Sequence, residues 1–216
     1  SVNQGHSWTW LRTGFPALAG FSWSAPVSAL AMDPANPEVI YAAIGAPRQG
    51  FGKQGAVYKS TDGGSSWVRL PAPALLFDSN GRGHGYFDNF VAVDPRDANV
   101  AYLGGVELWK TTDGGETWSL LSLAGSTRVI HEDQFSIAFK PGSPDTVYVG
   151  NDGGIYKSTA GGATWSSLNQ GLPITQFNSV AVHPQNELIV LGGTQDQGLV
   201  RFSGSSTWEQ LVRGDA

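Results

Sequence analysis

Ser60-Thr61-Asp62-Gly63-Gly64-Ser65-Ser66-Trp67 is repeated twice, as Thr111-Thr112-Asp113-Gly114-Gly115-Glu116-Thr117-Trp118 and as Ser158-Thr159-Ala160-Gly161-Gly162-Ala163-Thr164-Trp165. Weaker copies occupy Ser1–Trp8 and Ser203–Trp208. The closing tryptophans, at 8, 67, 118, 165 and 208, are spaced by 59, 51, 47 and 43 residues. A recurring phrase at this spacing signals one supersecondary unit per repeat, and the length suits a four-stranded blade with loops of variable size.

Four short apolar runs accompany each full repeat. The first ends in proline: Val27–Pro34, Phe90–Pro95, Phe135–Pro141 and Asn178–Pro184. Proline has no N–H for a ladder and starts a turn. The second runs begin at Val39, Val100, Val147 and Leu188, and the third at Ala56, Glu107, Gly154 and Gly198. The fourth begin at Trp67, Trp118, Trp165 and Trp208. All are β-branched or aromatic and bounded by Gly, Pro, Asn and Asp, which reads as strand. No stretch keeps a 3.6-residue apolar stripe, so very little helix is expected. The reading is an all-β propeller of four-stranded antiparallel blades spanning residues 1–216. Blades are expected at 24–72, 86–123, 131–170 and 174–213, with 1–13 giving only a last strand. That odd strand implies about four blades of a larger ring of six to eight, with further blades in this or another chain. Four-bladed closure is the alternative. Exposed blade faces would then favour association.

The repeated phrase should be the hairpin turn between third and fourth strands. Asp62 and Asp113 would accept turn amides, Gly64, Gly115 and Gly162 would take positive φ, and Trp67, Trp118 and Trp165 would bury against neighbouring blades. Ala160 leaves one such turn less firmly tied. These residues hold the fold.

The net charge is −5, and only 14% of residues are charged, with no Lys/Arg cluster. A phosphate-tracking nucleic-acid partner is not expected. There is no cysteine, which removes disulfides, thiolate nucleophiles and cysteine metal sites. No run approaches a membrane span. No signal peptide opens the chain, so an exported protein would have lost its leader.

The Ser/Thr-x-Asp-x-Gly-x-Ser/Thr-Trp phrase resembles the Asp-box, or BNR repeat, of sialidase-like and sortilin-like β-propellers. The stretch from His131 to Asp196 is similar to large secreted bacterial BNR-repeat proteins described as glycosyl hydrolase-like. That resemblance implies an extracellular or cell-surface bacterial protein, with the boxes on the outer rim.

Ligands of propellers meet the face bearing the loops before the innermost strands and between second and third strands. The first loop set offers His84, Tyr86, Asp88, His131, Asp133 and Gln176. The second offers Arg48, Lys53, Asn151, Asp152, Gln195 and Asp196. Acidic, amide and aromatic groups suit a glycan or a peptide, so a module binding a polysaccharide or a protein is the first reading. Val149-Gly-Asn151-Asp152-Gly-Gly-Ile-Tyr156 resembles the strand–Asp-Gly-Gly–strand passage of two-propeller xyloglucan-cleaving glycosidases. That resemblance implies a catalytic carboxylate at Asp152, with Asp196 one blade on. The second reading is therefore a glycoside hydrolase using two carboxyls. A purely structural module is the third. Sialidase chemistry needs three convergent arginines, and Arg12, Arg48, Arg69, Arg82, Arg96, Arg128, Arg201 and Arg213 show no such set. The His131-Glu132-Asp133-Gln134 run and the two aspartates do not have the ordered spacing of a metal loop. No metal and no cofactor is expected. Arg213-Gly-Asp215 spells an integrin tripeptide, a match short enough to arise by chance.

Overall fold

The computed structural model describes residues 3–9, 13–14, 27–44, 56–71, 73, 88–172, 175–195, 197–204 and 208–214. Among these there is no helix. Four antiparallel four-stranded sheets follow one another along the chain, each ordered as in the sequence. The first holds β1 (Val27–Met32), β2 (Ile40–Ile44), β3 (Ala56–Ser60) and β4 (Val68–Leu70). The second holds β5 (Phe90–Asp94), β6 (Asp97–Gly104), β7 (Leu108–Thr111) and β8 (Ser119–Leu120). A two-stranded ribbon, β9 (Leu123–Ala124) with β10 (Thr127–Arg128), intervenes; the apolar runs gave no hint of it. The third sheet holds β11 (Gln134–Lys140), β12 (Ser143–Asn151), β13 (Gly154–Ser158) and β14 (Ser166–Ser167), and the fourth holds β15 (Phe177–His183), β16 (Asn186–Thr194), β17 (Gly198–Phe202) and β18 (Glu209–Gln210). First strands touch across the first three sheets, β1 against β5 and β5 against β11. This is the arrangement of a partial propeller, with first strands innermost.

The repeated phrase forms the β3–β4, β7–β8 and β13–β14 turns, and its polar atoms close on themselves. Asp62 accepts from Ser60 Oγ at 2.7 Å, Ser66 N at 2.8 Å and Ser66 Oγ at 2.5 Å. Asp113 accepts from Thr111 Oγ1 at 2.7 Å, Thr117 N at 2.9 Å and Thr117 Oγ1 at 2.5 Å. In the box lacking Asp, Ser158 Oγ still accepts from Ala160 N and Gly162 N. Gly115 and Gly162 sit at φ +100° and +94°, and a Cβ there would meet Leu70 and Leu121 of the preceding sheet at 2.4 and 2.5 Å. Only glycine lets each turn approach its neighbour so closely.

Between sheets, alternate strand residues make the core. Tyr41, Ala43, Val57 and Leu70 of the first sheet pack with Val91, Val93, Ala101 and Leu103 of the second, and Trp118 joins them. Phe90, Tyr102 and Leu108 of the second pack with Val147 and Val149 of the third, with Trp165 alongside. Trp67 instead packs within the first sheet, beside Ala42 and Tyr58. Polar clasps sharpen both seams. Tyr41 Oη donates to Ala98 O at 2.8 Å, and Tyr102 Oη to Gly161 O at 3.0 Å. Lys59 and Lys110 Nζ reach Gly114 O and Gly161 O.

No comparable cluster among the described residues joins the third sheet to the fourth. Phe135, Ile155 and Leu168 on one side, with Val180 and Val182 on the other, stay exposed. The segments at 3–9 and 13–14 form turns and no strand; Asn3 Oδ1 takes the box carboxylate's part by accepting from Ser7 N. Thr13 O accepts from Trp67 N, which ties this segment to the first sheet.

Candidate functional site

The loops before β11 and between β12 and β13 meet at one end of the third sheet. Gln134 pairs with Asn151 as the last rung of the β11–β12 ladder. Asp133 and Asp152 lie just past that rung, Asp133 in the loop and Asp152 in the hairpin turn. The second sheet brings Asp88 within electrostatic reach of both. Asp88 precedes β5, whose first rung pairs Phe90 with Gly104, and Val106 O in the β6–β7 loop accepts from Asp133 N at 3.0 Å. Gln134 N donates to Gly105 O at 2.7 Å. These bonds stitch the second and third sheets together at this end. Asp133 holds a left-handed backbone, φ +62°, a conformation that aspartate tolerates better than most residues.

An amide network sets the frame. Gln134, fully buried, donates from Nε2 to His131 O at 2.5 Å. Asn151 Nδ2 donates to His131 O and to Gln134 Oε1, while its Oδ1 accepts from Gly153 N at 3.0 Å. Asn169 grips the hairpin from outside, donating to Gly153 O and accepting from Ile155 N. The His131 side chain lies so close over Gly153 that a Cβ there would sit 2.3 Å from it. His131 and Asn151 therefore build the loop. Gln134, from the run singled out in the sequence, and Asn169 do as much; Asn169 was no candidate, and a short amide side chain next to a turn was its only signal.

Asp88 is the outlier. It is completely buried, and neither oxygen has a hydrogen-bond donor among the described residues. Burial, and then the charges of Asp133 and Asp152, push its carboxyl up to about 8. Asp133 and Asp152 are both partly exposed. Asp88 is thus shut off from water, while Asp133 and Asp152 remain partly open to it. Buried Glu107 is held by Ser122 Oγ and by Arg128 from the ribbon, at 2.8 and 3.1 Å.

Gln176 and Gln195 are brought together in the fourth sheet, where Gln195 N donates to Gln176 O at 3.1 Å. They lie just past the last rung of their ladder, as Asp133 and Asp152 do in the third sheet. Arg48, Lys53, His84, Tyr86 and Asp196 lie outside the described residues. Arg96 is spent on Asp94 and Asp145, Arg128 on Glu107, and Arg201 on Glu209. No group of three metal-ligating side chains occurs among the described residues. A cavity of about 320 Å³ is lined by Thr175, Phe177, Gln197, Val200, Trp208 and Gln210. Trp208 is the counterpart of Trp118 and Trp165, so this hollow matches the seat of an adjoining sheet.

Comparison with known proteins narrows the reading. The relatives are xyloglucanases. The chain is 29% identical to the xyloglucanase of Hypocrea jecorina over 99% of its length, and 32% identical to Xyloglucanase Xgh74A of Acetivibrio thermocellus over 66%. It spans only 28% and 20% of those two proteins. A GH74 enzyme of Niastella koreensis superimposes with a TM-score of 0.55 at 26% identity, covering 85% of this chain and 29% of that one. The GH74 xyloglucanase of Xanthomonas campestris gives 0.57 at 22% identity, covering 97% and 41%, a likeness of fold. No protein-family model matches the chain. The relatives include a fungal protein as well as bacterial ones, so they give the expected bacterial origin no support. No helix among the described residues is long and apolar enough to cross a membrane.

Proposed function

We propose that the chain is the part of an extracellular glycoside hydrolase that brings Asp152 to a β-glucan chain of the xyloglucan type. The observation supporting this reading is the β12–β13 hairpin, which holds Asp152 in the turn just past the Gln134–Asn151 rung, in a chain whose relatives are xyloglucanases. Glycosidic cleavage needs one carboxyl to protonate the leaving oxygen and another to activate water or attack carbon. Asp133 and Asp152 are partly exposed acids available for such work, and the relatives weigh toward hydrolysis over the binding module that loop composition alone favoured. Asp196 is proposed as a further acid of the same face. The Asp-boxes and ring closure by further blades are proposed as scaffold.

The test is release of reducing ends from xyloglucan by the full-length protein. Asp152→Asn should lower kcat by at least about a hundred-fold, the scale of general acid–base catalysis, with binding retained. Undiminished release in that variant would remove Asp152 from the chemistry. Tight glycan binding without any cleavage would return the chain to the binding-module reading.

A further inference from the structure

We propose that Asn169 is a positioning residue for Asp152, clamping from outside the turn that carries this carboxyl. What Asp152 does rests on the hydrolase reading; that Asn169 holds its turn does not. Asn151 pairs with Gly154 as the last rung of the β12–β13 ladder, which leaves Asp152 and Gly153 as the whole of the turn. Both residues after Asp152 sit where a side chain does not fit. A Cβ on Gly153 would lie 2.3 Å from the His131 side chain, and one on Gly154, at φ +103°, would lie 2.2 Å from Asn169 Oδ1. Successive glycines are the most conformationally free stretch a chain can have. A carboxyl carried by such a turn keeps one place only if the turn's peptide groups are held.

Two amide side chains supply that hold. Asn151 Oδ1 accepts from Gly153 N at 3.0 Å, which fixes the peptide joining Asp152 to Gly153. Asn169 fixes the next two peptides. Its Nδ2 donates to Gly153 O at 2.7 Å, and its Oδ1 accepts from Ile155 N at 2.8 Å. The clamp is itself anchored, since Asn169 N donates to Ser167 Oγ at 3.3 Å and Asn169 O accepts from Leu172 N at 3.0 Å.

The other sheets show what is special to the third. Ser122 stands four residues past Trp118, as Asn169 stands four past Trp165. Ser122 Oγ accepts from Leu108 N at 3.3 Å, the counterpart of the Ile155 bond, but it spends its own proton on Glu107 and not on the turn. Pro71 and Val212 hold the same place in the first and fourth sheets, and neither side chain can hydrogen-bond. Among the described residues the two-ended clamp therefore occurs only beside Asp152.

The experiment compares the full-length protein with Asn169→Ala, Asn169→Ser, Asp152→Asn and the double variant Asp152→Asn with Asn169→Ala. Leu168 N still donates to Ile155 O at 2.9 Å in the alanine variant, so the β13–β14 pairing should persist. Asn169→Ala should lower kcat on xyloglucan about ten- to a hundred-fold, the scale of a misplacement of about 1 Å, with KM changed by less than about threefold. Asn169→Ser copies Ser122 and keeps an acceptor for Ile155 N, so it should lose less. In the double variant the residual rate should fall no further than in Asp152→Asn alone, because groups acting as a unit are not additive. The Ile155 amide should also exchange faster with deuterium in Asn169→Ala, with or without glycan. Unchanged exchange at Ile155, an undiminished kcat, a rise in KM alone, or a loss that adds in full to that of Asp152→Asn would each overturn the proposal. Should the alanine variant fail to fold, the serine variant carries the same comparisons. If the Asn169 variants cleave normally while Asp152→Asn does not, the clamp falls and the hydrolase reading stands. If Asp152→Asn itself cleaves at the wild-type rate, the hydrolase reading falls and takes the positioning task with it.

Discussion

At the residue scale the chain performs its own comparison of hairpin turns. Two boxes close an aspartate onto the serine or threonine four residues on, and the third has Ala160 in that place. These hydrogen bonds hold Asp62 down to about 2, and Asp113 lower still. A carboxyl depressed in the folded state stabilises above its unfolded value near 4, and that contribution disappears as pH falls toward 2. Ala160→Asp should give the third turn the missing acceptor, since Thr164 stands where Ser66 and Thr117 stand. Its melting temperature should rise by a few degrees at pH 7 and by nothing near pH 2. A gain of equal size at both values would mean that the new carboxylate is not the cause. Much at this scale is legible in sequence, because the box acts through neighbours four residues away. Asp88 is not legible in the same manner. Its loop position could be read from the chain, but its burial and the influence of Asp133 and Asp152 on it come from segments distant along the chain.

At the element scale, each seam between the first three sheets combines apolar packing with one tyrosine and one lysine reaching the next turn. Tyr102 is fully buried, and its hydroxyl has Gly161 O as acceptor. Burial, with the charges of Asp94 and Asp145 behind it, pushes the phenol far above its ordinary range, so it stays a neutral donor. Removing that hydroxyl leaves Gly161 O still served by Lys110 at 2.9 Å. Tyr102→Phe should therefore cost only about 1 kcal/mol, the net value of one hydrogen bond. Leu103→Ala, which opens a void in the adjoining seam, should cost about 2–5 kcal/mol. Urea midpoints at constant slope would check both. A tyrosine loss as large as the leucine loss would mean that the clasp, and not the apolar seam, joins the sheets. The strands themselves are readable from their β-branched and aromatic runs and their proline stops. The β9–β10 ribbon is not, because two-residue strands around Gly125 carry no periodic signal.

At the scale of the whole molecule, apolar side chains remain where further packing is expected. Leu30 and Met32 on β1 occupy the positions that Val91 and Val93 hold on β5, where they are buried against the first sheet. Val180 and Val182 hold those same positions on β15, with exposures of 61% and 57%. Ile155 and Leu168 on the third sheet are likewise open. Repeated units that each bury only one face need a neighbour on the other. Produced alone, these residues should self-associate with rising concentration, seen as a growing weight-average mass in sedimentation. Val180→Thr with Val182→Thr should reduce that association while changing unfolding free energy by under about 0.5 kcal/mol, the usual effect of surface substitutions. Both outcomes together place the β15 face at a contact between sheets that is unfilled within the chain. A large stability loss from the pair would show instead that β15 packs inside the chain, against the open face of the third sheet.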